Sequence, residues 1–286
     1  MTTTTLSIHG TFFIIGTPIG NMGDITQRAI ETLEKCKLLM CEDTRETKKL
    51  LNLLEISLGD KKLISVREQN EQSSCEELIK LLLAGNDVGY CSDAGMPAIS
   101  DPGSRLVDAV LDADLRVNVV PGPSAVTSAV ALSGFNSTAF IFKGFFPRKV
   151  NEQLLEIDML NSSKEIVVYF ESPNRLVGTL TVLSEKLSHT QRVVVARELT
   201  KKFEEIYRGT TNDVLHHFEN GVKGECVIVI EPSNSVVKDP AITNIEEALK
   251  LLISNRVSSK NSIEIVQLLN GISKNDIKEI YNTLKG

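Results

Sequence analysis

Short apolar runs punctuate the first part of the chain, at 12–15, 38–40, 63–66, 87–90 and 116–120, and each has the length of a buried strand. Between them the apolar positions switch to a helical period. Ile25, Ala29, Ile30 and Leu33 fall on one face of a helix that Asp24 or Thr26 can cap and that runs to about residue 36. Further helices are expected from the polar group 42–45 to about residue 54, from Ser73 or Ser74 to near Gly85, and over 104–110. For the last, Asp101-Pro102 is the expected start: a capping carboxylate, then a proline whose missing N–H costs nothing there. Strand and helix in alternation predict a mostly parallel, doubly wound sheet.

At Pro121-Gly122-Pro123-Ser124-Ala125 the rhythm breaks, and a hinge between two domains is expected. A helix of small residues follows over 124–132. Strands at 140–142, 166–170, 192–197 and 226–230, with helices near 152–160 and 175–187, predict a second α/β domain. A further strand at 204–207 makes that sheet mixed. Pro232-Ser233-Asn234-Ser235 begins a linker. Beyond it the period is purely helical: Ile245, Ala248, Leu249, Leu252 and Ile253, then Ile263, Val266 and Leu269, then Ile277, Ile280, Tyr281 and Leu284. These predict three short helices, a unit of helix-turn-helix size. Its charges nearly balance, so nucleic-acid binding, dimerisation and capping stand as alternatives. The expected domains are 1–121, 122–233 and 234–286.

Composition narrows the function. The chain has 286 residues, 42% of them apolar, enough for a sizeable core. Five cysteines at irregular spacings, with no C-x-x-C pair, suit a reduced, cytoplasmic protein with buried thiols and no metal. No targeting segment and no run of transmembrane length is present, so a soluble protein is expected. The net charge is −6, which disfavours capture of naked nucleic acid by bulk charge. RNA contact must then come from a local patch or from recognition of an assembled particle. G-x-G-x-x-G after the first strand, a P-loop and a G-x-S-x-G elbow are all missing, and His9, His189, His216 and His217 sit in no catalytic or metal pattern. His216-His217 reads as an exposed helix end. Hydride transfer, phosphoryl transfer and serine hydrolysis lose ground.

What remains is a series of polar clusters, several of them following strands. They are 16–21, 42–45, 92–95, 121–125, 171–175 and 197–202. The central stretch, Tyr90 to Gly103, places small and acidic side chains beyond the carboxyl end of a strand, where open α/β sheets bind ligands. Gly, Ser and Ala allow the main chain to approach a ligand closely. Each cluster alone has a bland reading: an ordinary βα loop, a helix N-terminus with favourable dipole charge, or a solvated charge run. Together they describe a cleft suited to a nucleoside-like cofactor.

Gly16-Thr17-Pro18-Ile19-Gly20-Asn21, Glu42-Asp43-Thr44-Arg45, Ser92-Asp93-Ala94-Gly95 with Ser100-Asp101-Pro102-Gly103, Pro121-Gly122-Pro123-Ser124-Ala125, Gly144-Phe145-Phe146-Pro147-Arg148-Lys149, Glu171-Ser172-Pro173 and Ala196-Arg197-Glu198-Leu199-Thr200-Lys201 occur in that order. Together, over residues 12–231, they resemble the small-subunit (16S) ribosomal RNA cytidine-2′-O-methyltransferases of the tetrapyrrole methylase superfamily. The resemblance implies two α/β domains with an inter-domain cleft, a small C-terminal all-α domain of helix-turn-helix type, S-adenosylmethionine as methyl donor, and a homodimer acting on the small ribosomal subunit. It implies donor contacts from Pro18, from Asp93, Ala94, Gly95 and Ile99, from Ser124 and Ala125, and from Phe170 and Glu171. Two positions depart from the family pattern. Met96 stands where Thr is usual, and Asn174 stands where His is usual, so no histidine base is assigned.

A ribose 2′-hydroxyl attacking an activated methyl needs positioning at about 3–3.5 Å above all, and a general base adds on the order of 10²–10⁴-fold. Asp43, Asp101 and Glu171 are the expected carboxylates for that work. Arg45, Arg148, Lys149, Arg197, Lys201 and Lys202 are the expected phosphate contacts, which position RNA without reading its sequence. Base selection is expected to need a splayed nucleotide. Competing readings are methylation of a tetrapyrrole or a protein side chain by a related enzyme, and a non-catalytic ribosome-assembly RNA-binding protein that needs no cofactor.

Overall fold

The computed structural model of the chain describes residues 9–233, 240–270 and 272–285. It divides into two compact units between residues 232 and 233. The amino-terminal Thr run and the expected linker residues Asn234 and Ser235 lie outside the described residues, as does the side chain of Leu269.

The first unit opens with β1 (Thr11–Ile15), α1 (Gln27–Lys35), β2 (Leu38–Cys41), α2 (Thr44–Leu53), β3 (Lys62–Ser65), α3 (Glu71–Leu83), β4 (Val88–Cys91), α4 (Ser104–Asp112) and β5 (Arg116–Val120). The strands form one sheet in the order β3-β2-β4-β1-β5, parallel throughout. Period-two alternation sends Phe12, Ile14, Val88 and Tyr90 to one face, under α3 and α4, while Ile15, Leu39 and Val120 face α1 and α2. β4 is buried along its length between β2 and β1. The loops that follow β1 and β4 are therefore neighbours at the carboxyl edge of the sheet, where its strand order switches direction.

The chain continues with α5 (Ala125–Ser133), β6 (Phe140–Phe145), α6 (Val150–Ser162), β7 (Ile166–Glu171), α7 (Pro173–Lys186), β8 (Arg192–Arg197), β9 (Glu205–Thr210), α8 (Thr211–Phe218) and β10 (Cys226–Ile230). Their sheet runs β6-β7-β10-β8-β9, with β6 parallel to β7 and the other pairs antiparallel. This is the mixed sheet expected from the strand near residue 205. Val167, Tyr169, Val193, Val195 and Ile228 pack outward against α6, α7 and α8. Val168, Val194, Ala196, Val227 and Val229 face the other way, onto Val126 and Ala129 of α5 and onto Ile19 from the loop after β1. Ile19 thus ties the first sheet's loop into the second sheet's core.

α6 and α7 each begin two residues earlier than expected, and two other helix entries are built differently from expectation. α3 begins at Glu71, because Asn70 closes the preceding turn: its Oδ1 accepts from Arg67 N–H, and Ser73 and Ser74 donate back to its carbonyl. α4 is preceded by Gly103 and has no side-chain cap, so Asp101 does not cap it. The helix holding His216 and His217, α8, is closed by a capping box of Thr210 and Asp213.

The second unit contains α9 (Pro240–Ser254), α10 (Ser259–Asn270) and α11 (Lys274–Lys285) around a core of Ile245, Leu249, Val266, Ile277 and Tyr281. Among the described residues, no helix is long and apolar enough to cross a membrane, and no group of His, Cys, Asp or Glu is arranged to hold a metal ion. All five cysteines are buried and unpaired with one another.

Candidate functional site

Two glycines let the loops after β1 and β5 touch. A Cβ on Gly16 would stand 2.6 Å from Gly122 N, and one on Gly122 would stand 2.8 Å from the Gly16 carbonyl carbon. Beside this crossing, Thr17 and Gly95 form a short antiparallel bridge, N–H to carbonyl at 2.9 and 3.2 Å. The bridge anchors the front of the central loop. Its rear is held by the Tyr90 hydroxyl, which donates to the Pro102 carbonyl, and by buried Glu71, whose Oε1 accepts from Gly103 N–H at 3.0 Å. Between these anchors the backbone is left-handed at Ala98 and Ser100, both at φ 65°.

The loops of both sheets enclose a cleft of about 360 Å³. Of the expected donor contacts, Ala94, Gly95, Ile99, Ser124, Ala125, Phe170 and Glu171 line it. Pro18 and Asp93 do not; the neighbour of Pro18, Ile19, does. Of the expected catalytic carboxylates, Asp101 and Glu171 line it and Asp43 does not. Asp43 caps α2, and its carboxylate accepts from the Arg45 backbone at 2.8 Å and from Arg45 Nε at 3.0 Å. Those bonds hold it well below the usual carboxylate range, which makes it a weak proton acceptor. Its own N–H donates to Asp93 Oδ1 at 3.2 Å.

Asp101 differs from the other two. It is half-buried, and loss of solvation raises its pKa, with Asp93 adding to the rise and the Ser92 hydroxyl opposing it. A cleft carboxylate raised in this way suits a general base. Glu171 is occupied otherwise. Its side chain is 0% exposed, with Thr179 Oγ1 donating at 2.6 Å, Ser172 N–H at 2.8 Å, and the Arg175 guanidinium 3.4 Å away. It fastens the first turns of α7 to the end of β7, and Thr179, two turns into the helix, shares that task.

The expected cations lie outside the cleft lining. Arg45 pairs with Asp43, Lys149 with Glu152, Arg197 with Glu205, and Lys201 with both Glu198 and Glu225. Arg148 and Lys202 are exposed and have no carboxylate partner among the described residues.

Several residues of the site escape a sequence reading. Met96 is half-buried and its Sδ accepts from Gly122 N–H at 3.3 Å, so the unusual methionine locks the glycine crossing. Asn174 is exposed near the start of α7 and outside the cleft. Phe145 lines the cleft from β6, and Arg175 donates to the carbonyls of Phe146 and Pro147, at 2.6 and 3.1 Å. Glu71 sat in a polar run with no mark of its role; only the fold brings it under Gly103.

These residues fit the donor that the resemblance implies. The cleft has the size of a small-molecule site. Ala94, Gly95, Ala125, Val126, Ala196 and Val227 give it small, apolar walls that would admit a nucleoside to the main chain, and Asp101 adds an acidic group that would favour a positively charged donor.

Comparison with known proteins agrees with this architecture. Residues 11–215 match the family described as Tetrapyrrole (Corrin/Porphyrin) Methylases. A Thermotoga maritima protein named Ribosomal RNA small subunit methyltransferase I is 44% identical over 222 residues, 77% of this chain and 98% of that protein. The Bacillus subtilis protein of the same name is 35% identical over 279 residues, 96% of this chain and 94% of that protein. The fold is shared with a uroporphyrin-III-C-methyltransferase from Thermus thermophilus, with a TM-score of 0.55 and 17% identity over 78% of this chain and 95% of the other. It is shared also with a cobalt precorrin-4 methyltransferase, with a TM-score of 0.57 and 18% identity over 77% of this chain and 94% of the other. With its two sheets, the cleft between their loops and nearly three quarters of its length matched, the chain belongs to the tetrapyrrole methylase family.

Proposed function

We propose that this protein methylates the ribose 2′-oxygen of a cytidine in small-subunit (16S) ribosomal RNA, with S-adenosylmethionine as donor and the assembled subunit as substrate. One observation carries the chemical part: Asp101, a half-buried carboxylate of raised proton affinity, stands in an apolar cleft lined by small residues from both sheets. Relatives named as small-subunit ribosomal RNA methyltransferases support the choice of substrate.

When bound, the donor supplies an activated methyl group. The chain supplies position. Ala94, Gly95 and Ile99 hold one side of the cleft, Ser124 and Ala125 the hinge side, and Phe170 and the wall fixed by Glu171 the other. Pro18 and Asp93 act from behind the lining, Pro18 by orienting Ile19 and Asp93 by receiving the Asp43 N–H. Asp101 accepts the 2′-hydroxyl proton as the oxygen attacks. Arg148 and Lys202 contact phosphates; the paired cations Arg45, Lys149, Arg197 and Lys201 do so only by leaving their carboxylates. A homodimer is supported by exposed apolar side chains on edge strand β6 and on α6, namely Phe140, Ile141, Val150, Leu154 and Leu155. Action in the cytoplasm follows from the substrate.

The test is label transfer. Purified protein with methyl-labelled S-adenosylmethionine is expected to modify unmethylated small subunits far better than the same RNA stripped of protein. The product is 2′-O-methylcytidine, resistant to alkaline cleavage on its 3′ side. Label on a base atom, on protein or on a tetrapyrrole overturns the assignment. Failure to bind the donor in calorimetry leaves only a non-catalytic RNA-binding role.

A further inference from the structure

β6 does not keep its alternation. Its register against β7 pairs Phe142 with Val168 and Phe145 with Phe170, so three steps along β6 match two along β7. Val168 and Phe170 face the cleft side of the sheet. The extra residue is absorbed at Gly144, which sits at φ +71°, the left-handed conformation of a glycine bulge. Without it, Phe145 would share a face with Lys143. With it, Phe145 joins Phe142 and Phe170 on the cleft side, its ring 6.0 Å from that of Phe170 in an edge contact. Phe170 in turn meets Phe142 edge-on at 4.8 Å.

The bulge is held firmly. Phe146, the next residue, is buried on the opposite face against Tyr169, ring centroids 5.4 Å apart. Arg175 clamps the carbonyls of Phe146 and Pro147. Yet Phe145 itself is 55% exposed. A phenylalanine re-aimed by a bulge, braced from behind and left open at the mouth of a cleft is placed for a ligand. The buried walls of the same cleft, Val126, Ala196 and Val227, take the deeper position. Three residues beyond Phe145 comes Arg148, exposed and without a carboxylate partner among the described residues.

We propose that Phe145 is the stacking platform for the base of the acceptor nucleotide, with Arg148 contacting an adjacent phosphate. The inference rests on the RNA-methylating reading above. A base splayed from its RNA enters from solvent and meets the exposed rim first, and every base offers a π-face to an aromatic ring. Phe145 therefore positions the ribose for attack while the deeper cleft holds the donor.

The test compares Phe145→Ala, Phe145→Leu and Phe145→Tyr in the full-length protein. Unmethylated small subunits are the substrate, and donor affinity is measured separately by calorimetry. For Phe145→Ala, KM for the subunit rises roughly 5- to 150-fold, while S-adenosylmethionine affinity and sedimentation behaviour stay unchanged. Phe145→Tyr restores KM and Phe145→Leu does not. Weakened donor binding in Phe145→Ala reassigns the ring to the cofactor, a changed oligomeric state reassigns it to an interface, and rescue by Leu reduces it to packing; each overturns the proposal, as does an unchanged KM. If the unmutated protein transfers no label to RNA, the reading beneath the inference fails instead.

Discussion

The crossing of Gly16 and Gly122 offers the sharpest test of how the cleft is built. In Gly16→Ala the new methyl meets Gly122 N at 2.6 Å, its Cα at 2.7 Å and Met96 Sδ at 2.7 Å. Met96 can turn aside, but the backbone of Gly122 cannot without moving the loop after β5. Ordinary contact begins near 3.4 Å, so the loops after β1 and β5 must part by close to an ångström. Overpacking of this kind costs about 1–3 kcal/mol, or roughly 2–4 °C of melting temperature per kcal/mol for a domain of this size. A displacement of about 1 Å in a positioned reaction can cost about 10²-fold in rate. Gly16→Ala is therefore expected to lower the melting temperature and weaken S-adenosylmethionine binding together, measured by calorimetry on the same preparation. Gly178 is the control. It is exposed within α7, and a Cβ there meets nothing within 4 Å, so Gly178→Ala stabilises by about 0.5–1 kcal/mol through helix propensity. A Gly16→Ala protein with unchanged melting and unchanged affinity would refute the claim that this contact sets the cleft.

Asp101→Asn lowers kcat for methyl transfer by about 10²–10⁴-fold, and the unmutated enzyme loses activity toward acid with a midpoint above the ordinary aspartate range. Because burial raises that pKa in the fold, the native state binds the proton more tightly than the unfolded chain; ionisation costs stability as pH rises, and Asp101→Asn melts higher at neutral pH. Thr179→Val removes the hydroxyl that donates to Glu171 Oε2 at 2.6 Å; it costs about 1.5–3 kcal/mol of stability and leaves the acid limb of the rate profile in place, whereas a displaced limb marks Glu171 as the base. With only Arg148 and Lys202 unpaired among the six expected phosphate contacts, the logarithm of naked-RNA affinity against that of salt has a slope near −1.4, about 0.7 per phosphate, and a slope several times steeper contradicts the charge pairing. A chain ending at Ser233 keeps its donor affinity and loses activity on small subunits, and loss of donor binding in that soluble fragment puts the helical unit into the site.

Where burial alone decides, the sequence was transparent. β8 and β10 begin and end where expected, since each buried apolar run is closed by charge. The central loop was legible as a ligand loop because Gly and Pro forbid anything regular between Ser92 and Gly103. Its internal geometry was not. Asp101 has the form of a helix cap, yet Gly103 takes that place and Asp101 lines the cleft instead. The charge run at 197–202 looked like an RNA patch, but Arg197 is claimed by Glu205 and Lys201 by Glu225, partners that only the strand pairing of β8 with β9 and β10 brings near. Phe145 was hidden by the bulge, because strict alternation assigns it to the wrong face.

The rules that fail here fail in one place. Among the described non-glycine residues with left-handed backbone, Glu55, Asp114 and Arg256 follow helix ends, where that conformation is ordinary. The others, Ala98 and Ser100 from the first sheet and Glu198 and Thr200 from the second, sit in the two loops on either side of the cleft. Such residues cost about 1–3 kcal/mol each and persist only where their surroundings hold them. The Thr17–Gly95 bridge and the Glu71–Gly103 bond hold the first pair; the Glu204 carboxylate, accepting from Thr200 N–H at 2.6 Å, holds the second. Gly144 joins the two halves, its Cα facing Ser100 so that a methyl there would lie 3.8 Å from the serine Oγ. The left-handed backbone of the central loop and of the β6 bulge thus meets near the rim of Ile99 and Phe145, while Glu198 and Thr200 flank Leu199, which lines the cleft beside the loop after β1. A methyl transfer that depends on placing one hydroxyl needs that rim rigid before the RNA arrives, and a loop free to relax would spend binding energy on ordering itself.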